Sequence, residues 1–205
     1  MNKPKIMIAV PNMGHIHHLT VNSLFALPSV TEAELHYESI AGSLVYDARN
    51  DFCSRAVKEN YDYIMFVDSD MVFPANVINK LIALNADVAT AVCYGRMGQH
   101  NPQVYTEMKP TTWYRKETVS KRPESVDGIF KIKACGMACC LVNVGLVREM
   151  FRRNINPFEP FGHLGEDFSF CVRANKMGAV MLADGSIPIG HVGESVFTKA
   201  DWVKG

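Results

Sequence analysis

The sequence lacks a long apolar run, an excess of charge of either sign, internal repeats and low-complexity segments. No apolar stretch reaches the roughly 18 residues of a membrane helix, and the run at 6–10 is too short for a signal peptide. We therefore expect a cytoplasmic protein with no membrane partner. Lysine plus arginine number 21 and aspartate plus glutamate 21, which argues against binding of nucleic acid or lipid through bulk charge.

The six cysteines do not follow the spacing of a disulfide framework. They lie within apolar or helical patterns, so we expect reduced, buried thiols that pack as small hydrophobic groups. Cys135, Cys139 and Cys140 are also compatible with a metal cluster, although no second Cys/His pair at zinc spacing accompanies them. Hydrophobic residues make up 48% of the chain, which together with the balanced charge excludes a disordered protein.

Strand-like and helix-like segments alternate through the first part of the chain. Apolar runs predict strands at 5–10, 61–67 and 87–93, and alternation of polar and apolar residues predicts a strand at 34–40. Helical spacing of apolar residues predicts helices at 17–26, 45–60 and 74–84. This alternation is typical of an α/β fold, a mostly parallel central sheet with helices on both faces. We expect a single domain over 1–205.

The rest of the chain is more irregular. The polar, proline-containing segment 95–127 predicts a small antiparallel ribbon and a mobile loop, which could close over a ligand. Residues 128–142 indicate strand, turn and strand. Further helices are predicted at 144–153 and 165–177, and short strands at 179–182 and 186–189.

Two aspartates follow the strand predicted at 61–67, in the sequence Asp68-Ser69-Asp70. Ligands of open α/β sheets bind beyond the carboxyl ends of the strands, so both carboxylates are expected to face a ligand. Carboxylate oxygens suit Mg²⁺ or Mn²⁺, and such an ion in turn binds a diphosphate. A solvated turn, in which the aspartates bond to the backbone, is the alternative.

Two later positions also carry groups suited to chemistry. Glu166 and Asp167 begin the helix predicted at 165–177, where one of them could serve as general base for a hydroxyl nucleophile. Simple charge complementarity with the helix dipole is the alternative. His191 follows the last predicted strand and could complete a metal site with the aspartates, or could be a surface histidine.

The order of these motifs resembles that of the GT-A fold glycosyltransferases, and most closely glycosyltransferase family 2. The stretch from Ala48-Arg49-Asn50 to Asp68-Ser69-Asp70 is similar to that family's A-R-N…D-x-D pattern. The stretch 166–173 resembles its E-D-x-x-F-x-x-R pattern. The resemblance covers roughly 5–193. It implies a Rossmann-like nucleotide-diphospho-sugar transferase fold, with a nucleotide-binding half at about 1–94 and an acceptor-binding half at about 95–205.

The resemblance also implies roles for the acidic residues and the histidine. Asp70 would be the main ligand of a Mn²⁺ or Mg²⁺ ion, and His191 a further ligand. Asp68 would reach the metal through water or contact the ribose of the donor. Asp167 would deprotonate the acceptor hydroxyl, as in inverting members of the family, with Glu166 as the adjacent candidate.

A nucleotide-diphosphate sugar, most simply a UDP-sugar, is the implied donor. Pro11, Asn12, Arg49 and the Asp68-Ser69-Asp70 segment would contact it. Glu38 stands nearest to the acid that reads the base in relatives. The acceptor would be a hydroxyl on a small molecule, on a protein or on a modified DNA base of a phage. Nucleic acid therefore enters only as an acceptor, and the basic run at 115–122 is the only feature that favours it.

Several further residues are candidates for binding the donor or the acceptor. The segment 136–138 matches small residues that line the acceptor side in relatives. Tyr94, Arg96, Trp113 and Tyr114 could stack on a base or a sugar, or could pack. The histidines at 15, 17 and 18 are interpreted as polar loop residues rather than phosphate ligands.

Two other functions fit an α/β protein with acidic metal ligands. A nucleotidyltransferase would need a glycine-rich, basic loop after the first strand, and the segment 11–15 has neither property. A non-catalytic nucleotide-sugar-binding module would have lost its base, whereas Glu166 and Asp167 are both present. The oligomeric state is not predicted by the sequence.

Overall fold

The helices and strands follow the predicted alternation. The structure, a computed structural model, describes residues 3–96, 99–109, 119–193 and 196–202. Its helices are α1 (His18–Ala26), α2 (Val45–Lys58), α3 (Val77–Ala83), α4 (Val144–Arg152) and α5 (Glu166–Lys176). Its longer strands are β1 (Lys5–Asn12), β2 (Glu34–Ala41) and β3 (Tyr63–Val67), followed by β4 (Met71–Val72), β5 (Val88–Ala91), β6 (Val104–Tyr105), β7 (Glu107–Lys109), β8 (Val119–Lys121), β9 (Ile129–Lys131), β10 (Ala134–Cys135), β11 (Cys139–Asn143), β12 (Met181–Asp184), β13 (Gly190–Val192) and β14 (Val196–Phe197).

Seven strands form the central sheet, in the order β2-β1-β3-β11-β5-β12-β9. Strands β1, β2, β3, β5 and β12 point the same way, while β11 and β9 run against them. The protein is therefore an α/β protein with a mostly parallel sheet, as predicted. Strands from both parts of the chain share this sheet, because β11 lies between β3 and β5.

Helices cover both faces of the sheet. In α2, Ala48, Phe52 and Ala56 are buried at intervals of four residues and pack on one face together with residues of α4 and α5. Leu24 of α1 and Leu81 of α3 are buried against the opposite face. This helical periodicity explains why the sequence predicts these elements well. None of the described helices is both long and apolar enough to cross a bilayer.

The second part of the chain differs in detail from the sequence prediction. The strand-turn-strand expected at 128–142 is split, because β9 lies at the sheet edge beside β12 while β11 enters the centre. The strand expected at 186–189 instead begins at Gly190, and Pro188 cannot donate a ladder hydrogen bond. An antiparallel ribbon is present as β7 and β8. Residues 110–118, which include Trp113, Tyr114 and part of the basic run, lie outside the described residues.

All six cysteines are free and buried, as the sequence predicts. Burial raises the pKa of the Cys53 and Cys139 thiols, which keeps them protonated and unreactive. Among the residues that the structure describes, no group of three or more His, Cys, Asp or Glu side chains is arranged to enclose a metal ion.

Candidate functional site

A polar cleft opens at the carboxyl ends of β1 and β3. The chain passes from β1 to β2 on one side and then returns to β3 on the other side of β1. Such a reversal of direction leaves a crevice between the two strands, which is where α/β sheets bind ligands. The crevice has a volume of about 380 Å³.

The cleft brings together most of the predicted site residues. From the first part of the chain, it is lined by Pro11, Asn12, Arg49, Asp68, Ser69 and Asp70. Glu166 and His191 reach it from the last third of the sequence. These positions come from the ends of β1 and β3, from α2, from the start of α5 and from β13, so their meeting is a property of the tertiary fold.

Arg49 links the two acidic motifs. Its Nη2 donates to Asp68 Oδ1 at 2.9 Å and its Nη1 donates to Glu166 Oε1 at 2.7 Å. Only 4% of its side chain is exposed, and its Nε has no hydrogen-bond partner among the described atoms. The guanidinium lies 5.8 Å from the ring centre of Phe158. A buried arginine thus fixes the spacing between two carboxylates that face the cleft.

Asp70 is held between the Arg96 guanidinium and the His191 imidazole. Its Oδ1 lies 3.2 Å from His191 Nε2 and its Oδ2 lies 2.8 Å from Arg96 Nη1. Burial alone would raise the pKa of Asp70, but the hydrogen bond and charge of His191 and the charge of Arg96 outweigh it and lower the pKa. Asp70 is therefore ionised in the cleft over the neutral pH range.

The orientation of His191 is set by the backbone. A carbonyl oxygen only accepts, so the His191 Nδ1 that lies 2.8 Å from the Tyr94 oxygen carries a proton and donates it. This bond directs Nε2 to Asp70. Burial alone would lower the pKa of His191, but its bonds to Asp70 and to the Tyr94 carbonyl outweigh burial and raise it.

Asp70 and His191 have the chemistry of a divalent-metal site. They place an oxygen and a nitrogen donor side by side, and a histidine that ligates a metal typically donates its other ring N–H to a carbonyl or carboxylate. Sites for Mg²⁺ often use one or two protein groups and fill the remaining positions with substrate phosphates and water. The residues present therefore fit such an ion, while Arg96 offers a competing cation for Asp70.

Asp167 lies beside the cleft rather than in its lining. Burial and the charge of Glu166 raise its pKa to about 6. Its Oδ1 accepts from the Phe168 amide at 2.7 Å, which leaves Oδ2 without that bond. A Cβ placed on Gly136 would lie 3.8 Å from Oδ2, so the absence of a side chain at Gly136 leaves room next to this oxygen. The predicted small-residue segment at 136–138 and the predicted base are thus neighbours.

Glu38 and the histidines that follow β1 take different places relative to the cleft. Glu38 does not line the cleft, and its Oε2 instead accepts from Arg55 Nη1 at 3.1 Å. Its role in reading the base stays a prediction. His15 lies in a loop, as the sequence predicts, and it also lines the cleft. His18 is not a loop residue, because it begins α1. His17 caps α1, because its Nδ1 accepts from the Leu19 amide at 3.2 Å.

Sequence reasoning missed two contributors to the site. Arg96 was considered only as a stacking residue, but its guanidinium pairs with Asp70. Phe158 lies beneath Arg49, stacks on Phe170 at 4.7 Å and is fixed by Asn50 Oδ1, which accepts from its amide at 2.9 Å. The Ala48-Arg49-Asn50 motif could have pointed to Phe158, because Arg49 and Asn50 both bind residues that are distant in sequence.

The fold and the cleft define an α/β protein with a cleft lined by charged side chains at the carboxyl ends of a mostly parallel sheet. No protein-family model matches the chain, and no curated protein matches it. Among solved structures, the crystal structure of A197 from STIV is similar, with a TM-score of 0.65 and 17% sequence identity. The match covers 93% of this chain and 86% of that chain. At this identity, the likeness shows a shared fold.

Proposed function

We propose that the protein is a metal-dependent glycosyltransferase of the GT-A fold, which moves a sugar from a nucleotide-diphosphate sugar to an acceptor hydroxyl. The observation that carries this proposal is the bridge from Asp68 through Arg49 to Glu166. It joins both motifs of the family resemblance in one cleft with Asp70 and His191. A solvated aspartate turn would not need a buried arginine between it and a distant helix.

The donor side of the site consists of Asp70, His191, Arg96 and Arg49. Asp70 and His191 would hold a Mn²⁺ or Mg²⁺ ion, which supplies Lewis-acid stabilisation to the charge on a leaving diphosphate. Arg96 has a half-exposed side chain, so it can move from Asp70 to a phosphate oxygen. Arg49 orients Asp68 and Glu166 and, as a buried group, is a positioning residue.

The acceptor side centres on Asp167. With a pKa of about 6, its carboxylate is mostly ionised at neutral pH yet basic enough to accept a proton in the transition state. The acceptor oxygen gives its proton to Asp167 as it bonds to the anomeric carbon. The bond from that carbon to the diphosphate oxygen breaks, and its electron pair leaves with the nucleoside diphosphate. Attack opposite the leaving group inverts the anomeric centre.

Calorimetric titration with UDP, GDP and CDP, each with and without Mn²⁺, tests the donor site. We expect one nucleotide to bind in a metal-dependent way, most simply UDP, and Asp70→Ala to abolish that binding. The matched control is Asp51→Ala, which removes an exposed carboxylate from α2. It should bind as the wild type does.

Two outcomes of the titration would contradict the proposal. One is the absence of binding by every nucleotide under both conditions. The other is metal-dependent binding that Asp70→Ala and Asp51→Ala leave equally intact, because the ion would then be held elsewhere in the protein.

A further inference from the structure

The central sheet ends in a long edge strand. Strand β2 pairs with β1 over eight consecutive residues without a bulge, and no described strand pairs with its outer side. Its outward-facing backbone groups are therefore available to another strand. It contains neither lysine nor proline, two residues that proteins commonly use to block such edges.

The opposite edge of the sheet is protected in the usual way. Strand β9 has only three residues, Ile129–Lys131, and ends in a lysine. Short edge strands and lysine both discourage pairing with another chain. The contrast between the two edges singles out β2 as an interaction surface.

Among the pairings centred on the middle of β2, at residues 36, 37 and 38, the charges favour one pairing of the strand with a second copy of itself. Antiparallel pairing that keeps the two sheet faces continuous must be centred on one residue. Centring on Glu38 would place that carboxylate opposite itself. Centring on His36 would place Glu34 opposite Glu38. Centring on Tyr37 places His36 opposite Glu38 twice and sets no like charges directly against each other.

An apolar patch, formed by Tyr37 and Phe25, lies beside the centre of this pairing. Tyr37 lies on the α1 side of the sheet edge, where its hydroxyl donates to the Leu24 carbonyl at 3.2 Å. Tyr37 is 46% exposed, and Phe25, next to Leu24, is 79% exposed. Pairing centred on Tyr37 would bring the two tyrosines together at the dyad and cover part of this patch.

We infer that the protein forms a symmetric dimer, in which the β2 strands of two copies pair antiparallel with Tyr37 at the axis and continue the sheet across both subunits. This inference is independent of the proposed enzymatic function. The pairing also gives Glu38 a structural role, between Arg55 of its own chain and His36 of the second copy.

Sedimentation across a concentration series tests the dimer through its mass. The wild type is expected at twice the 22.9 kDa mass of the chain. His36→Glu places like charges opposite each other at two positions and should raise the dissociation constant by about tenfold or more. Adding Glu38→Lys should restore the dimer, since opposite charges again face each other. His163→Glu makes the same change at an exposed position away from β2 and should have no effect.

Disulfide trapping tests the register. Tyr37→Cys would place two cysteines directly opposite each other, within reach of a disulfide, and should cross-link on mild oxidation. Ser39→Cys is the control, because residue 39 would face residue 35 and its two copies would lie about 13 Å apart. The native cysteines are all buried and should not compete.

The outcomes separate clearly. A monomer at all concentrations, or a dimer that His36→Glu leaves intact, overturns the inference. Cross-linking through residue 39 and not residue 37 overturns the register. Loss of nucleotide binding in a variant that remains dimeric bears only on the cleft, so failure of the dimer and failure of the proposed function are distinguishable.

Discussion

At the scale of single residues, Arg49 shows how one buried cation organises several carboxylates. Its two ion pairs and its contact with Phe158 leave 4% of the side chain exposed. Lysine cannot make both bonds, because its ammonium is a single point while the guanidinium is a fork. We therefore expect the site not to tolerate lysine in place of Arg49.

We expect Arg49→Lys to lower the free energy of unfolding by about 2 kcal/mol, since a buried cation loses one of its two partly exposed carboxylate partners. Urea denaturation measures this. Arg55→Lys is the matched control on the same helix: its pair with Glu38 is half-exposed, so the change should stay within about 0.5 kcal/mol. Equal effects of the two substitutions would contradict the role given to Arg49.

The ionised carboxylate of Asp167 is expected to lower the free energy of unfolding while it serves the proposed reaction as base. The folded protein holds its proton more tightly than the unfolded chain, with a pKa of about 6 against an ordinary value of 3.8. This group therefore stabilises the fold below about pH 4, and the stabilisation is lost as the pH rises through about 6. We expect Asp167→Asn to be more stable than the wild type by about 1 to 2 kcal/mol at pH 8, and equally stable at pH 4.

Denaturation of both proteins at the two pH values checks this difference. The same pKa predicts that wild-type turnover rises with pH through about 6, and that Asp167→Asn has almost no turnover. An Asn variant that is less stable at pH 8 would contradict the raised pKa of Asp167. A variant that retains the turnover and its pH profile would show that Asp167 is not the base.

Arg96 should lower the affinity of the cleft for Mn²⁺ alone and raise its affinity for nucleotide. It neutralises Asp70 Oδ2 at 2.8 Å, so Arg96→Gln removes a competing cation and should tighten binding of Mn²⁺ alone. The same substitution removes the proposed contact with a phosphate of the donor and should weaken nucleotide binding in the presence of Mn²⁺. Calorimetry measures both affinities, with the exposed Arg152→Gln as control. A parallel loss of both affinities would contradict this role.

At the scale of elements, the site depends on the packing beneath it. Phe158 is fully buried. The centre of its ring lies 5.2 Å from that of Phe66 in β3 and 4.7 Å from that of Phe170 in α5. It thus joins the strand that ends at Asp68 to the helix that begins at Glu166. A change in this ring should move both acidic motifs.

Phe158→Ala is expected to lower the free energy of unfolding by about 3 to 5 kcal/mol, because it opens a cavity between β3 and α5. Where the variant still folds, nucleotide affinity should also fall. Chemical denaturation and calorimetry check the two effects. Ile129→Ala, at a side chain 62% exposed, should change stability by no more than about 0.5 kcal/mol. A stability loss that leaves affinity unchanged would show that the packing does not position the site.

The elements that the sequence predicts well are those with a strong local signal. Apolar runs define β1 and β3, and the helical spacing of Ala48, Phe52 and Ala56 defines α2. The place of β11 was not predictable in this way, because an apolar run does not state which strands it pairs with. Its position between β3 and β5 depends on contacts between distant parts of the chain.

At the scale of the whole molecule, topology accounts for part of the site and tertiary contacts for the rest. The rule that ligands bind beyond the carboxyl ends of parallel strands correctly places Asn12 and Asp68 at one cleft. It does not predict that Arg49 binds Glu166, 117 residues away in sequence. The pairing of Arg96 with Asp70 likewise required the structure.

The products formed from a panel of nucleotide-diphosphate sugars with Mn²⁺ show whether the protein transfers a sugar. Glycosyl transfer to an acceptor or to water breaks the bond between sugar and diphosphate. We therefore expect free nucleoside diphosphate, identified by chromatography, from the wild type but not from Asp70→Ala or Asp167→Asn. Release of nucleoside monophosphate and sugar phosphate, or no release from any donor, would contradict the proposed sugar transfer.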